Sequence, residues 1–136
     1  MKKIFVDTNI LLDLLLKRED YYIPAAEVFS LADKGKVTLH VSSLSFANIF
    51  YLLQKINNEA SARTALKAIE PLVEILDLNG KIIKLSLNDD EFKDFEDGLQ
   101  YYSALNSGVD IILTRNLKDF KASKLPVMTA EAYLKV

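Results

Sequence analysis

The stretch Asp110-Ile111-Ile112-Leu113-Thr114 constrains the fold of this chain more than any other, because it is apolar through its middle and does not alternate. A strand of that kind is covered on both faces, which calls for a parallel sheet with helices above and below it. Ile4-Phe5-Val6 is a second short, β-prone apolar run, and it stops at Asp7-Thr8-Asn9, any of which can cap a following helix.

Between these two runs, helix and strand patterns alternate. Ile10 to Leu16 is apolar almost all round and reads as a buried helix, ended by Lys17-Arg18-Glu19-Asp20. Ala25, Val28, Phe29 and Ala32 recur at helical spacing between Tyr21 and Lys34, with Gly35 placed as the terminal cap. Val37 to Val41 alternates like a strand, and Ser42 or Ser43 can cap a third helix carrying Phe46, Ile49, Phe50 and Leu53. A fourth helix runs from Glu59 to Ile69 and stops before Pro71. Val73 to Asp77 reads as a strand, followed by a short helical pattern from Lys81 to Leu87 and an acidic connection at Asn88-Asp89-Asp90-Glu91. The next helix ends at Ser107 with Gly108 as its stop, Pro126-Val127-Met128 reads as a fifth strand, and Ala130 to Leu134 closes the chain as a helix. The expectation is α/β, as a single domain over residues 1–136. No repeat, linker or low-complexity segment interrupts it. In open parallel sheets the ligand crevice lies beyond the carboxyl ends of the strands, which is where Asp7 falls.

Half the residues are hydrophobic and 26% are charged, the balance of an ordinary globule. A formal charge of −2 argues against a protein that coats nucleic acid nonspecifically, so any such contact is expected to be local. The absence of cysteine excludes disulfides, thiolate metal sites and cysteine nucleophiles. Asp7 arrives before any apolar run can lengthen into a signal peptide, and no later stretch reaches the ~18 apolar residues of a membrane span. A cytoplasmic protein without membrane contact is the expectation.

Three polar clusters fall at one predicted sheet edge: Asp7-Thr8-Asn9, then Asp94-Phe95-Glu96-Asp97, then Thr114 to Asp119. Taken singly, each reads equally well as helix caps or an ordinary turn. Capping does not require the three to meet, whereas carboxylates brought together repel and a divalent cation relieves that repulsion. Hard oxygen donors select Mg²⁺ or Mn²⁺ over zinc. His40, the one imidazole, sits within a strand and receives no role. Arg115, Lys118, Lys121 and Lys124 recur near the last cluster as a basic stripe toward an RNA backbone, or as a solvated face. Tyr101-Tyr102 reads as core rather than as a base-stacking platform.

Phe5 to Asp13, Phe95-Glu96-Asp97-Gly98-Leu99-Gln100 and Thr114-Arg115-Asn116-Leu117-Lys118-Asp119-Phe120, in that order and spacing, resemble the PIN-domain ribonucleases, which include the VapC-type toxins of bacterial toxin-antitoxin pairs. The resemblance covers nearly the whole chain. It implies a three-layer α/β/α sandwich around a central parallel sheet of four to five strands. It makes Asp7 and Asp97 the primary metal ligands, places Asp119 and Asn116 where they complete the acidic pocket, and gives Asn9 and Thr114 a supporting polar role. It further implies hydrolysis of RNA with Mg²⁺ or Mn²⁺, RNA contact by Arg115 and Lys118, a homodimer, and an antitoxin that inserts a basic segment into the pocket. Two positions depart from the family pattern. Asn48 stands in the third helix where the family usually has glutamate, and Asn116 stands where many relatives have aspartate. An amide brings no charge and is a poor general base, so weaker metal binding is expected. Asp94, one turn before Asp97, is expected either to compensate or to cap the helix. The leading expectation is a metal-dependent endoribonuclease, and the alternative is a catalytically impaired PIN-like domain that binds RNA or a protein partner. A phosphoryl-aspartate hydrolase of the haloacid-dehalogenase type would need aspartate at Asn9, and a receiver domain is poorly matched at Asp77 and Met128-Thr129.

Overall fold

In the computed structural model, which describes residues 1–136, β1 (Lys2–Val6), β2 (Val37–Ser42), β3 (Val73–Leu76), β4 (Ile111–Leu113) and β5 (Val127–Met128) form one sheet. All pairings are parallel and the order is β3-β2-β1-β4-β5. The connections are α1 (Thr8–Leu15), α2 (Tyr22–Asp33), α3 (Ser43–Ile56), α4 (Glu59–Ile69), α5 (Gly80–Leu87) and α6 (Phe95–Ser107), with α7 (Ala130–Leu134) last.

The unalternating runs explain the layering. Ile4, Val6, Leu39, Val41, Ile111 and Leu113 face a core of 17 buried residues shared with α1, α2, α3, α4 and α7. Phe5 and Ile112 point the other way, into a core of 7 buried residues with Phe92, Tyr101, Ala104, Val109 and Phe120. Helices therefore cover both faces, and the result is the expected three-layer sandwich with a five-stranded sheet.

Several boundaries differ from the sequence expectations, for local reasons. Ser42 ends β2 and caps α3 at once, its hydroxyl accepting from Ser45 N at 3.2 Å. β4 is shorter than the run suggests, because the flanking Asp110 turns its carboxylate to accept from Lys3 N at 2.8 Å and Thr114 serves the site described below. Two 3-10 turns appear, at Glu70–Leu72 around the Pro71 that stops α4 and at Leu117–Phe120 within the last polar cluster. Gly108 stops α6 with φ +76°, a left-handed conformation that favours glycine.

The strand order reverses at β1. The chain builds β2 and β3 on one side of it, then crosses to β4 and β5 on the other. The crevice at the carboxyl ends of β1 and β4 is thus the switch point at which such sheets bind ligands, and Asp7 and Thr114 are the first residues beyond those two strands.

Candidate active site

Asp7 leaves β1 with its amide bound to Leu113 O at 3.0 Å, so pairing with β4 sets its position. Its side chain is buried, and both carboxylate oxygens are held by donors. Oδ1 accepts from Thr8 N at 2.8 Å and Gln100 Nε2 at 3.1 Å, and Oδ2 accepts from the Thr114 hydroxyl at 2.8 Å and Asn9 Nδ2 at 3.4 Å. Asn9 Nδ2 also reaches Thr114 Oγ1 at 3.2 Å, while Asn9 Oδ1 accepts from Arg115 N at 3.2 Å. The structure thus brings Asp7, Asn9 and Thr114 into mutual contact. Burial raises the Asp7 pKa above the ordinary carboxylate value, while the hydrogen bonds from Thr114, Thr8 and Gln100 pull it back.

Asp97 sits in the first turn of α6, partly buried. Burial, followed by the charges of Asp94, Asp7, Asp119 and Glu96, pushes its pKa up to about 7. Carboxylates from the end of β1, from the start of α6 and from the 3-10 turn after β4 thus act on one another electrostatically. Asp94 caps α6, accepting from Glu96 N at 2.8 Å. Asp119 lies exposed on the 3-10 turn, its amide donating to Asn116 O at 3.0 Å, and Asn116 N in turn donates to Thr114 Oγ1 at 3.1 Å.

Asn48 occupies an exposed position on α3 and donates to Glu96 Oε1 at 2.7 Å. The helix that lacks a glutamate therefore holds one from α6, and the charge of that glutamate is felt at Asp97. Arg115 turns to the far side of its segment. Its Nε and Nη2 bind the buried Asp13 at 2.8 and 3.0 Å, and its guanidinium lies 4.0 Å from the centre of the Tyr21 ring. Lys118 remains exposed and outside any ion pair.

Sequence reasoning missed Gln100, although it stood at the end of a quoted motif. It is 1% exposed, and its Nε2 reaches Asp7, Thr8 Oγ1 at 3.0 Å and Ser45 Oγ at 2.8 Å, while its Oε1 accepts from the Ser42 hydroxyl. Its place one turn after Asp97, on the same helix face, is the signal that could have singled it out. Tyr101 and Tyr102 belong to the protein interior and its edge. Tyr101 stacks on Phe92 with ring centres 4.6 Å apart, and the Tyr102 hydroxyl donates to Asp89 Oδ2 at 2.6 Å. His40 hydrogen-bonds only to Thr38 Oγ1, at 3.3 Å, and takes no part in the site.

The donor set of the crevice consists of carboxylate, amide and hydroxyl oxygens, which suits a hard divalent cation. No group of three or more Asp, Glu, His or Cys side chains stands close enough to hold an ion without help. Mg²⁺ is content with one or two carboxylates plus waters and a substrate phosphate, so the residues fit that mode of binding.

A sequence profile of the PIN domain matches residues 3–118. Ribonuclease VapC1 of Aquifex aeolicus (strain VF5) is 30% identical over 136 residues, spanning 97% of this chain and 93% of that protein. The structure of VapBC-1 from nontypeable Haemophilus influenzae superposes with a TM-score of 0.73 at 20% identity, over 95% of this chain and 98% of that one. A toxin-antitoxin complex from Klebsiella pneumoniae superposes with a TM-score of 0.69 at 24% identity, over 93% and 97% of the two chains. At those identities the two structures speak for the fold, and the profile and the Aquifex relative speak for descent. Together with an acidic crevice at the β1–β4 switch point, they establish that the chain belongs to the PIN-domain family.

Proposed function

We propose that the chain is a VapC-type, metal-dependent endoribonuclease, the toxin of a toxin-antitoxin pair, acting as a homodimer in the cytoplasm. The observation that carries this reading is that Asp7 from the end of β1, Asp97 from the first turn of α6 and Asp119 from the turn after β4 lie near enough at one sheet edge for the charges of Asp7 and Asp119 to act on Asp97, a repulsion that a bound cation removes. The name of the Aquifex relative supports the ribonuclease activity, and the toxin-antitoxin complexes among the structural neighbours support an antitoxin partner.

Asp7, Asp97 and Asp119 would hold Mg²⁺ or Mn²⁺, with Asn116 completing the pocket. An ion bound there supplies Lewis acidity and lowers the pKa of a coordinated water. The remaining work falls to the chain. Thr114, Asn9 and Gln100 hold the Asp7 carboxylate in one orientation, so its oxygens need not reorganise when substrate arrives. Asn48 contributes by holding Glu96, which returns to this edge the negative charge that an amide on α3 does not carry.

The test is incubation of RNA with the protein and either metal, beside Asp7→Asn and Asp97→Asn. Cleavage by the wild type that falls by at least about 100-fold in each variant is expected, since removing a charged group at a reacting centre costs roughly that much. Equal cleavage by all three proteins overturns the assignment. The alternative of an impaired PIN-like binder rests on Asn48, and it predicts RNA or protein binding with no cleavage by the wild type in either metal.

A further inference from the structure

A phosphodiester cannot approach an uncompensated group of carboxylates, since each added negative charge raises the cost of bringing another. Beside Asp97 and Asp119 the surface opens into a depression of about 300 Å³ lined only by charged residues. Four are acidic, Glu91, Asp94, Asp97 and Asp119, and three are basic, Lys93, Lys118 and Lys121. None of the three lysines lies within ion-pairing distance of any carboxylate, although all share a wall with four of them. Each is exposed, and each stands within two positions of an acid of the site: Lys93 before Asp94, Lys118 before Asp119, and Lys121 just after the same turn.

We propose that Lys93, Lys118 and Lys121 form the phosphate-gripping rim of a single-stranded RNA site, seating backbone phosphates that flank the bond held over Asp97 and Asp119. This rests on the ribonuclease reading above. It also moves RNA contact away from Arg115, whose guanidinium is committed to Asp13. Electrostatics supports it. Four carboxylates and three ammonium groups line the depression, and Asp7 and Glu96 add their charges at the same edge, so the lysines offset part of a repulsion toward a polyanion that a bound cation reduces further.

The experiment is fluorescence anisotropy of a labelled single-stranded RNA, with Ca²⁺ present to occupy the cation site, over a series of salt concentrations. The logarithm of affinity should fall linearly with the logarithm of salt, with a slope of about 0.7 per phosphate neutralised on a single strand. The combined variant Lys93→Gln/Lys118→Gln/Lys121→Gln should therefore lose about 2 from that slope and bind at least tenfold more weakly near physiological salt. Replacement of the same three by arginine should retain the slope. A remote control, Lys55→Gln/Lys67→Gln/Lys84→Gln on α3, α4 and α5, should leave it unchanged. All six positions are exposed or on helix surfaces, and unfolding midpoints verify that each variant is folded. A wild type that binds RNA while the rim variant keeps its slope and affinity overturns the inference alone, as does an equal loss in the remote control. A wild type that does not bind RNA at all overturns the ribonuclease reading with it. A labelled DNA strand of the same sequence that binds with the same slope and affinity leaves the rim in place and overturns its assignment to RNA.

Discussion

Burial and the charges of Asp94, Asp7, Asp119 and Glu96 push Asp97 up to about 7, so between the ordinary carboxylate value of 3.8 and that point the folded chain holds a proton that the unfolded chain has released. Folding then takes up a proton, and stability falls as pH rises through this window. In metal-free buffer Asp97→Asn should be more stable than the wild type near pH 8 and no more stable near pH 3, because below both pKa values the aspartate is neutral in either state. Thermal unfolding at the two pH values checks this, and parallel profiles would contradict it. Gln100 makes the complementary case. Gln100→Leu keeps the size but removes a donor from Asp7 and partners from Ser42 and Ser45, all buried. A loss of about 1–3 kcal/mol in urea unfolding is expected, the cost of leaving buried polar groups unmade. A change under about 0.5 kcal/mol would show that the network relaxes around the gap. Asp7 could be read from the sequence because a strand's end locates its next residue, whereas Asn9 and Thr114 drew their supporting roles from the family resemblance. Gln100 could not, since its meaning lies in contacts with Asp7 and Ser45, at separations of 93 and 55 residues, that no local pattern encodes.

Among the elements, α1 and the segment leaving β4 are joined by one ion pair. Asp13 projects from α1 with its side chain 1% exposed, and Arg115 reaches it with two hydrogen bonds. Arg18 stands 3.6 Å away as a weaker second partner. Arg115→Ala strands a buried carboxylate, so about 3 kcal/mol of stability should go, the lower end of what breaking a buried pair costs because Arg18 remains. Denaturant midpoints decide it, and a loss below about 1 kcal/mol would mean that Arg18 takes over fully. Helix and strand spans were legible because their signals are local: the Ser42 cap, the left-handed Gly108, and the apolar runs of β1 and β4. The 3-10 turn that carries Asp119 was not, since a run of four residues is too short for any periodicity to register. The partner of Arg115 was equally invisible, 102 residues away, and so its charge read as an RNA contact.

At the scale of the whole molecule the two layers of core are unequal, with 17 buried residues on one face of the sheet and 7 on the other. The smaller layer underlies the acidic edge. Phe120 anchors the 3-10 turn there, 2% exposed and with its ring centre 6.1 Å from that of Phe92. Phe120→Ala should cost about 3–5 kcal/mol, more than most single truncations, because few neighbours can close the cavity. A denaturation curve showing a loss under about 1 kcal/mol would indicate that the layer collapses around the hole. The layered architecture itself was readable from strands that never alternate, and the inequality of the layers was not, because it depends on which helix crosses to which side.

The reversal of strand order at β1 carries one more consequence. Asp7 is made well before the groups that fix it, since the carbonyl that positions it and the hydroxyl that orients it belong to Leu113 and Thr114, the latter 107 residues further along the chain. Contacts so distant along the chain form late, after the cost of closing a long loop has been met. During synthesis the acidic crevice therefore cannot exist until translation has passed β4 and the turn bearing Asp119. A product stalled before β4 carries Asp7 without the groups that place and orient it, and the crevice assembles only after β4 has joined β1.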